Sequence, residues 1–268
     1  MVAFAANSVL CRMSLGDQAI DAASFTSIRL ISGSLCLLCI VLYRNSEWRP
    51  SQPHWPSILS LFVYMICFSF AYQSLSAGAG ALLLFGCVQL TMIGTAIYRG
   101  TSISLRGWCG LLLAVTGLIY LLLPGAESPS PLYAGLMALA GVGWGIYSLL
   151  GARGGDPTEA TTKNFLYAVP LALLVSLVSL DSVSISGTGL VLAILSGAVA
   201  SGIGYAIWYT VLKEIPATSA AIVQLSVPAL ATLGGVILLA EPMSLRIVLA
   251  TTLTIGGIAL FLTRKEYS

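Results

Sequence analysis

Residues 80–120, GALLLFGCVQLTMIGTAIYRGTSISLRGWCGLLLAVTGLIY, lie without a gap on residues 220–260, AAIVQLSVPALATLGGVILLAEPMSLRIVLATTLTIGGIAL, when the chain is shifted by 140 positions. Ala81, Leu90, Gly94, Ile97, Ser104, Leu105, Arg106, Leu113 and Gly117 meet identical residues. Shared leucine or alanine carries little weight, because an apolar composition produces it. The connector Ser104-Leu105-Arg106 meeting Ser244-Leu245-Arg246 carries more, with Gly94 on Gly234 and Gly117 on Gly257 in register. The chain therefore reads as a duplication.

Working outward from the repeat, the composition sets the solvent. Apolar residues make up 57%, charged residues 8%, and the mean hydropathy is +0.95. A soluble domain carries about 25% charged residues, so this chain lacks the polar surface to stay in water. The stretch 58–98 holds no charge at all, enough for two crossings at roughly 20 residues each. Apolar runs and their turn signals predict ten spans: 1–15, 25–43, 57–75, 79–98, 105–123, 131–150, 165–180, 188–211, 217–239 and 245–262. The expected class is an all-α, polytopic transmembrane bundle in a lipid bilayer. The first span would reach only about 22 Å at 1.5 Å per residue, which predicts a true start upstream and an incomplete first helix.

Placing the charges orients the spans. With the first span running outward, the inner connectors hold Arg44, Arg49, Arg99, Arg106, Arg153, Lys163, Lys213, Arg264 and Lys265. The outer side keeps Arg12, Arg29 and Arg246 against Asp17, Asp21, Glu127, Asp181 and Glu241. This positive-inside bias predicts an inner-membrane protein with both termini cytoplasmic. The repeat then divides the chain into residues 1–123 and 131–263, five spans each. An odd number of spans per half forces opposite orientations, the inverted-repeat plan of secondary transporters, whose solute site lies between the halves near the midplane.

Other classes fare poorly. Basic clusters interleaved with aromatics, the footprint of nucleic-acid binding, are absent. Cys11, Cys36, Cys39, Cys67, Cys87 and Cys109 lie in apolar stretches, and the Cys36-x-x-Cys39 pair has no second pair to complete a metal site; the expected role is packing, with no metal and no cofactor. No phosphate loop of the G-x-x-x-x-G-K-[ST] type occurs. The only histidine, His54, falls in a connector, so a membrane serine protease would lack its base. Asp17-x-x-x-Asp21 is a lone acidic pair whose expected role is loop solvation. The expectation is no enzyme. Nothing in the pattern sets an oligomeric state.

Polar residues inside spans are costly in lipid and face a cavity or a partner. Asn7, Arg12, Arg29, Gln89, Trp144, Tyr147, Tyr205 and Gln224 form the candidate substrate-binding set; Trp144 and Tyr147 share a helix face, as do Tyr205 and Trp208. Arg12 and Arg29 read in two ways. Either they hold a substrate carboxylate through bidentate hydrogen bonds, or they reach to the outer interface or pair with Asp17 and Asp21. Gln89 and Gln224 read equally as interhelical hydrogen bonds, and the aromatics as packing. Gly141, Gly143, Gly145, Gly202, Gly204, Gly234, Gly235, Gly256 and Gly257 suit close helix packing. No Asp, Glu or His falls inside an expected span, which leans toward facilitated, gradient-driven movement, while Glu241, Asp181 and Glu214 at span ends leave proton coupling as the alternative.

The opening Ala3-Phe-Ala-Ala-Asn-Ser-Val-Leu-Cys-Arg12, Arg29 near the start of the second span, and Leu239-Ala-Glu-Pro-Met-Ser-Leu-Arg246 before a Gly-rich last helix resemble EamA-type carriers of the drug/metabolite transporter superfamily. The first half carries Tyr98-Arg-Gly-Thr-Ser-Ile-Ser-Leu-Arg106, with Thr101 where the glutamate of the second half's motif is expected, and Phe4-Ala-Ala stands in place of the usual aromatic-Trp-Gly. The resemblance covers essentially the whole chain. It implies a ten-helix inverted-repeat carrier exporting small metabolites, amino acids or drugs. The competing expectation is a non-transporting membrane subunit that assembles with or regulates another membrane protein.

Overall fold

The computed structural model describes residues 1–125, 128–151, 156–212, 214 and 223–262. Among them are ten helices: α1 Val2–Gly16, α2 Ala22–Arg44, α3 Trp55–Ala71, α4 Ala77–Tyr98, α5 Leu105–Leu122, α6 Pro131–Gly151, α7 Pro157–Val178, α8, α9 Ser226–Leu239 and α10 Leu245–Leu262. The rod α8 is continuous but not uniform, with α-helical ends Gly187–Ile194 and Gly204–Leu212 around a π-helical stretch, Leu195–Ile203. Seven of the ten are long and apolar enough to cross a bilayer, and α1, α3 and α9 are shorter apolar helices. The described residues contain no strand, only one antiparallel bridge between Ile20 and Ile185 that ties the α1–α2 turn to the α7–α8 connector.

Local chemistry sets the helix starts. A free amide at a helix N-terminus needs an acceptor, and a Ser or Asp side chain at the cap supplies it. Asp21 accepts from Ser24 N at 2.8 Å and Ser76 from Ala79 N at 3.3 Å. The repeated Ser-Leu-Arg connectors carry the same device: Ser104 accepts from Gly107 N at 3.2 Å and Ser244 from Ile247 N at 3.3 Å. Arg246 then donates to the carbonyl oxygens of Leu121 and Leu123, where α5 ends.

The span edges differ from expectation in three places. The seventh helix begins at Pro157, not 165, because Asp156 caps it through Thr158 N (2.8 Å) and Glu159 N (3.3 Å) with Pro157 in the first turn. A proline is tolerated there because its missing N–H would be an orphan anyway. The third helix ends at Ala71, which leaves Gln73 in the turn to α4 rather than in a span. Of the ninth expected span, 217–239, residues 217–222 lie outside the described residues, and the described helix is Ser226–Leu239.

The packing of the helices is regular. α3 and α4 both pack on α6, while α8 and α9 both pack on α1; α2 packs on α8, and α7 on α3; α2 meets α7, α4 meets α9, and α5 meets α10. Adding five to each helix number maps these contacts onto one another, whereas the smaller contacts of α4 with α1, α5 and α10 lack counterparts of like size. The α5–α10 seam explains one repeated glycine pair. A Cβ on Gly117 would meet Thr254 N at 2.8 Å and Ala250 O at 2.9 Å, and one on Gly257 would meet the backbone of Gly110 and Ala114. Small residues let helix backbones approach this closely. Gly94 and Gly234 do not share a role: Gly234 lies against Val9, whereas nothing sits within 4 Å of a Cβ on Gly94.

Candidate functional site

The buried core is polar where α1, α2, α3 and α8 converge. Arg29, in the second turn of α2, is 0% exposed. It does not reach an interface, and neither Asp17 nor Asp21 is its partner; Asp21 caps α2 and accepts from Ser184 N at 3.1 Å instead. Arg29 Nε donates to Ser201 Oγ at 3.3 Å and one Nη to the Tyr64 hydroxyl at 3.1 Å. Its Cζ stands 4.9 Å from the Phe68 ring centre and 5.5 Å from that of Tyr64, where aromatic faces stabilise a cation. The remaining nitrogen, Nη1, has no hydrogen-bond partner among the described residues. The described residues give this cation no carboxylate.

Two helices are shaped to reach it. A Cβ on Gly197 would collide with Ser32 Oγ and the Arg29 carbonyl, and one on Gly33 would stand 3.1 Å from the Gly197 carbonyl oxygen and 2.8 Å from Phe165 Cε1, so α2 and α8 meet at their backbones while the Phe165 ring of α7 packs on α2. The π-helical stretch of α8 pairs residues five apart, which brings Ser196 and Ser201 to one seam. Ser196 Oγ donates to Asn7 Oδ1 at 2.6 Å on α1, while Ser201 serves Arg29 on α2.

Beside Arg29's partners lies a small internal cavity walled by Asn7, Tyr64, Phe68, Trp144, Ser201 and Tyr205, among others. About 20 Å³ is open to the centre of a water molecule, roughly one water's worth. Aromatic rings make up much of its wall. Trp144 stacks on Tyr205 with centroids 5.2 Å apart and planes 17° from parallel, Tyr64 lies 4.9 Å from Trp144, and Phe4 lies 5.6 Å from Tyr205. Toward Glu241, Phe68 and Tyr72 meet edge-on at 4.8 Å.

The other candidates are distributed around this centre. Gln89 lies one turn after the cavity-lining Phe85 on α4, 3% exposed, its Nε2 unpartnered among the described residues. Tyr147, 3% exposed, sits one turn beyond Trp144. It donates to Thr161 Oγ1 at 3.2 Å and accepts from Asn164 Nδ2 at 3.3 Å. Gln224 is half-buried ahead of α9 and does not line the cavity. Arg12 lies away from the cavity, where its Nε meets Glu241 Oε1 at 3.2 Å and its Nη1 donates to the carbonyls of Tyr72 and Gln73, both at 3.3 Å. Glu241 also accepts from Ala77 N at 2.9 Å, so the pair ties α1 and the α9–α10 connector to the start of α4. At the opposite end, Arg44 meets Asp156 at 3.0 Å. Burial alone would raise the Asp156 carboxyl; the amides of Thr158 and Glu159 together with Arg44 outweigh it and hold the group below the ordinary carboxylate range.

Tyr64, Phe68, Ser196 and Ser201 belong to the site and were not among the candidates. Tyr64 lacks the i, i+3 aromatic partner that singles out Tyr147 and Tyr205, and a serine in an apolar helix carries little signal until the cation it serves is placed. Chemically, the centre can do one thing well. A buried guanidinium with two nitrogens already oriented, and a third without a partner among the described residues, has the geometry to donate to an anionic oxygen at that third nitrogen.

Known proteins resemble this chain in sequence and in fold. The EamA-like transporter family matches residues 1–123 and again residues 132–263. An uncharacterized protein of Pseudomonas aeruginosa is 48% identical over 99% of this chain and 92% of its own length. An uncharacterized transporter of Archaeoglobus fulgidus is 24% identical, covering 88% of this chain and 86% of that one, and the uncharacterized transporter YoaV of Bacillus subtilis is 23% identical, covering 92% and 89%. A protein known from a crystal structure shares the fold at a TM-score of 0.69 and 21% identity, with 97% of this chain and 96% of that one covered. The chain is a multi-pass membrane protein, and with both matched segments and its ten-helix fold it belongs to the EamA-like transporter family.

Proposed function

We propose that the protein is a secondary carrier that moves a small carboxylate-bearing metabolite, an amino acid or a drug-like solute, across the inner membrane, in the direction of export. The observation that carries this reading is Arg29: fully buried, without a carboxylate among the described residues, and with Nη1 unused. An unpaired charge in a low-dielectric interior is expensive, and in a membrane protein such a residue marks a substrate or ion path. A substrate carboxylate satisfies it. In this reading residues 1–123 and 131–263 are two inverted halves, with Arg29 at their seam and both termini in the cytoplasm. Support comes from the main helix contacts, which map onto one another when five is added to each helix number, and from the bias of basic residues toward one side. Asn7, Trp144 and Tyr205 wall the substrate; Gln89 and Tyr147 meet it as the cavity opens; Arg12 and Gln224 border the path.

The test is uptake of labelled amino acids and carboxylate metabolites into proteoliposomes, with and without a pH gradient. Losing a charge-assisted hydrogen-bond pair removes about 1.5–3 kcal/mol, so Arg29→Ala lowers flux of the preferred solute by ~10-fold or more. Gln89→Ala has a smaller effect. Undiminished flux in both variants, or no flux of any solute by the wild type, overturns the proposal.

A further inference from the structure

The Arg29 reading gives no task to Asn164, which lies in a buried polar cluster with Tyr147. Asn164 lies on α7, eight residues beyond the cap Asp156, or about 12 Å along the helix, and is 5% exposed. Tyr147 gives its only proton to Thr161 Oγ1 at 3.2 Å and so presents a lone pair to Asn164, whose Nδ2 donates to it at 3.3 Å. Tyr209 closes the group against Thr161 and Tyr147. That pattern orients the Asn164 amide: the nitrogen faces Tyr147, and the carbonyl oxygen is left with no partner among the described residues. A buried acceptor in this state lacks the water it had before folding and gains from any donor brought to it.

The two orphans complement one another across an aromatic bridge. Arg29 Nη1 is an unused donor beside Tyr64, and Asn164 Oδ1 an unused acceptor beside Tyr147. Between them, Tyr64 touches Trp144 at 4.9 Å between ring centres and Trp144 touches Tyr147 at 5.4 Å. We infer that the substrate is bifunctional: a carboxylate held by Arg29, an apolar middle lying against Trp144, and an N–H or O–H donor at the far end read by the Asn164 carbonyl. This deepens the carboxylate-carrier reading and rests on it. A donor adjacent to the carboxylate would stay beside Arg29, so the donor that matters lies several bonds away.

Thermal stabilisation of the purified protein in mild detergent tests it, with hexanoate, 6-hydroxyhexanoate and 6-aminohexanoate as probes. A hydrogen bond to an otherwise unsatisfied buried group discriminates by about 10-fold, so both donor-bearing probes should stabilise the wild type at ~10-fold lower concentration than hexanoate. In Asn164→Leu the three converge on the hexanoate value, which itself stays where it was. Asn164→Asp, which keeps shape and acceptor, preserves the preference for 6-aminohexanoate and guards against a folding artefact. Equal potency of the three probes in the wild type, or an Asn164→Leu variant that weakens all three by the same factor, overturns the inference while leaving the carboxylate reading intact. If hexanoate and both derivatives fail to stabilise the wild type at all, or stabilise Arg29→Ala equally well, the carboxylate reading falls and the inference with it.

Discussion

Gly197→Ala should loosen the joint that holds Arg29 in place. An added Cβ would collide with Ser32 Oγ and the Arg29 carbonyl oxygen, and would stand 2.9 Å from the Arg29 carbonyl carbon. Ordinary carbon contacts lie at about 3.5–4.0 Å, so the α2 backbone must retreat by about 1 Å. Backbone atoms cannot rotate away as a side-chain tip can. Alanine is worth up to ~1 kcal/mol over glycine in a helix, against ~1–3 kcal/mol for overpacking of a tight core. Forced backbone movement places the cost at the upper end, for a net loss of about 1–2 kcal/mol. At roughly 2–4 °C per kcal/mol for chains of this size, thermal melting in mild detergent should fall by several degrees. The controls are Gly135→Ala and Gly256→Ala, where no atom lies within 4 Å of the new Cβ; these should melt at or above the wild type. The same retreat stretches the 3.3 Å Arg29–Ser201 bond, so Gly197→Ala should also transport poorly. A Gly197→Ala protein as stable as Gly256→Ala would refute the close-packed joint.

The Arg12–Glu241 pair is half-buried, with side chains 26% and 14% exposed, so a double-mutant cycle with Arg12→Ala and Glu241→Ala should return a coupling of about 0.5–1 kcal/mol. Glu241→Ala alone should cost more than Arg12→Ala, because it also strips the acceptor from Ala77 N; the reverse order would show that the cap contributes nothing. Asp156 has its carboxyl held low in the folded protein. Its contribution to stability is therefore present above the unfolded carboxylate value of about 3.9 and fades as pH falls through the lower folded value. Asp156→Asn should flatten that acid limb of a melting-temperature profile and leave the shape above pH 6 unchanged, and an unaltered acid limb would contradict the assignment.

Much of the bundle was legible because bilayer chemistry leaves few choices. Charge-free runs of about 20 residues predict spans, and the Ser-Leu-Arg repeat marks α5 and α10 from their caps. Where the reading slipped, a competing local signal explains it. Asp156-Pro157-Thr-Glu159 looked like connector because it is polar, yet that polarity is what starts α7. The misplacement put Thr161 and Asn164 outside the expected membrane spans and hid the cluster around Tyr147. Ser196 and Ser201 were missed for a different reason. In an α-helix residues five apart point about 140° away from each other, and only the π-helical stretch of α8 turns both into one seam. Arg29 was found as an anomaly, a cation in an apolar helix. Its depth was not readable, since no residue pattern distinguishes a side chain that reaches an interface from one enclosed by Tyr64 and Phe68. Arg12 and Arg29 looked alike as arginines near span ends; the partner that separates them, Glu241, lies 229 residues from Arg12.

The account depends on Arg29 being an anion receptor rather than a structural strut. The direct measurement is equilibrium binding of a transported carboxylate and of its methyl ester to the purified protein, in the wild type, Arg29→Lys and Arg29→Ala. The account predicts that the wild type binds the acid at least ~10-fold more tightly than the ester, that Arg29→Lys keeps part of the difference, and that Arg29→Ala binds both equally weakly while remaining folded. Equal wild-type affinity for acid and ester, or an Arg29→Ala protein that still prefers the acid, would contradict it.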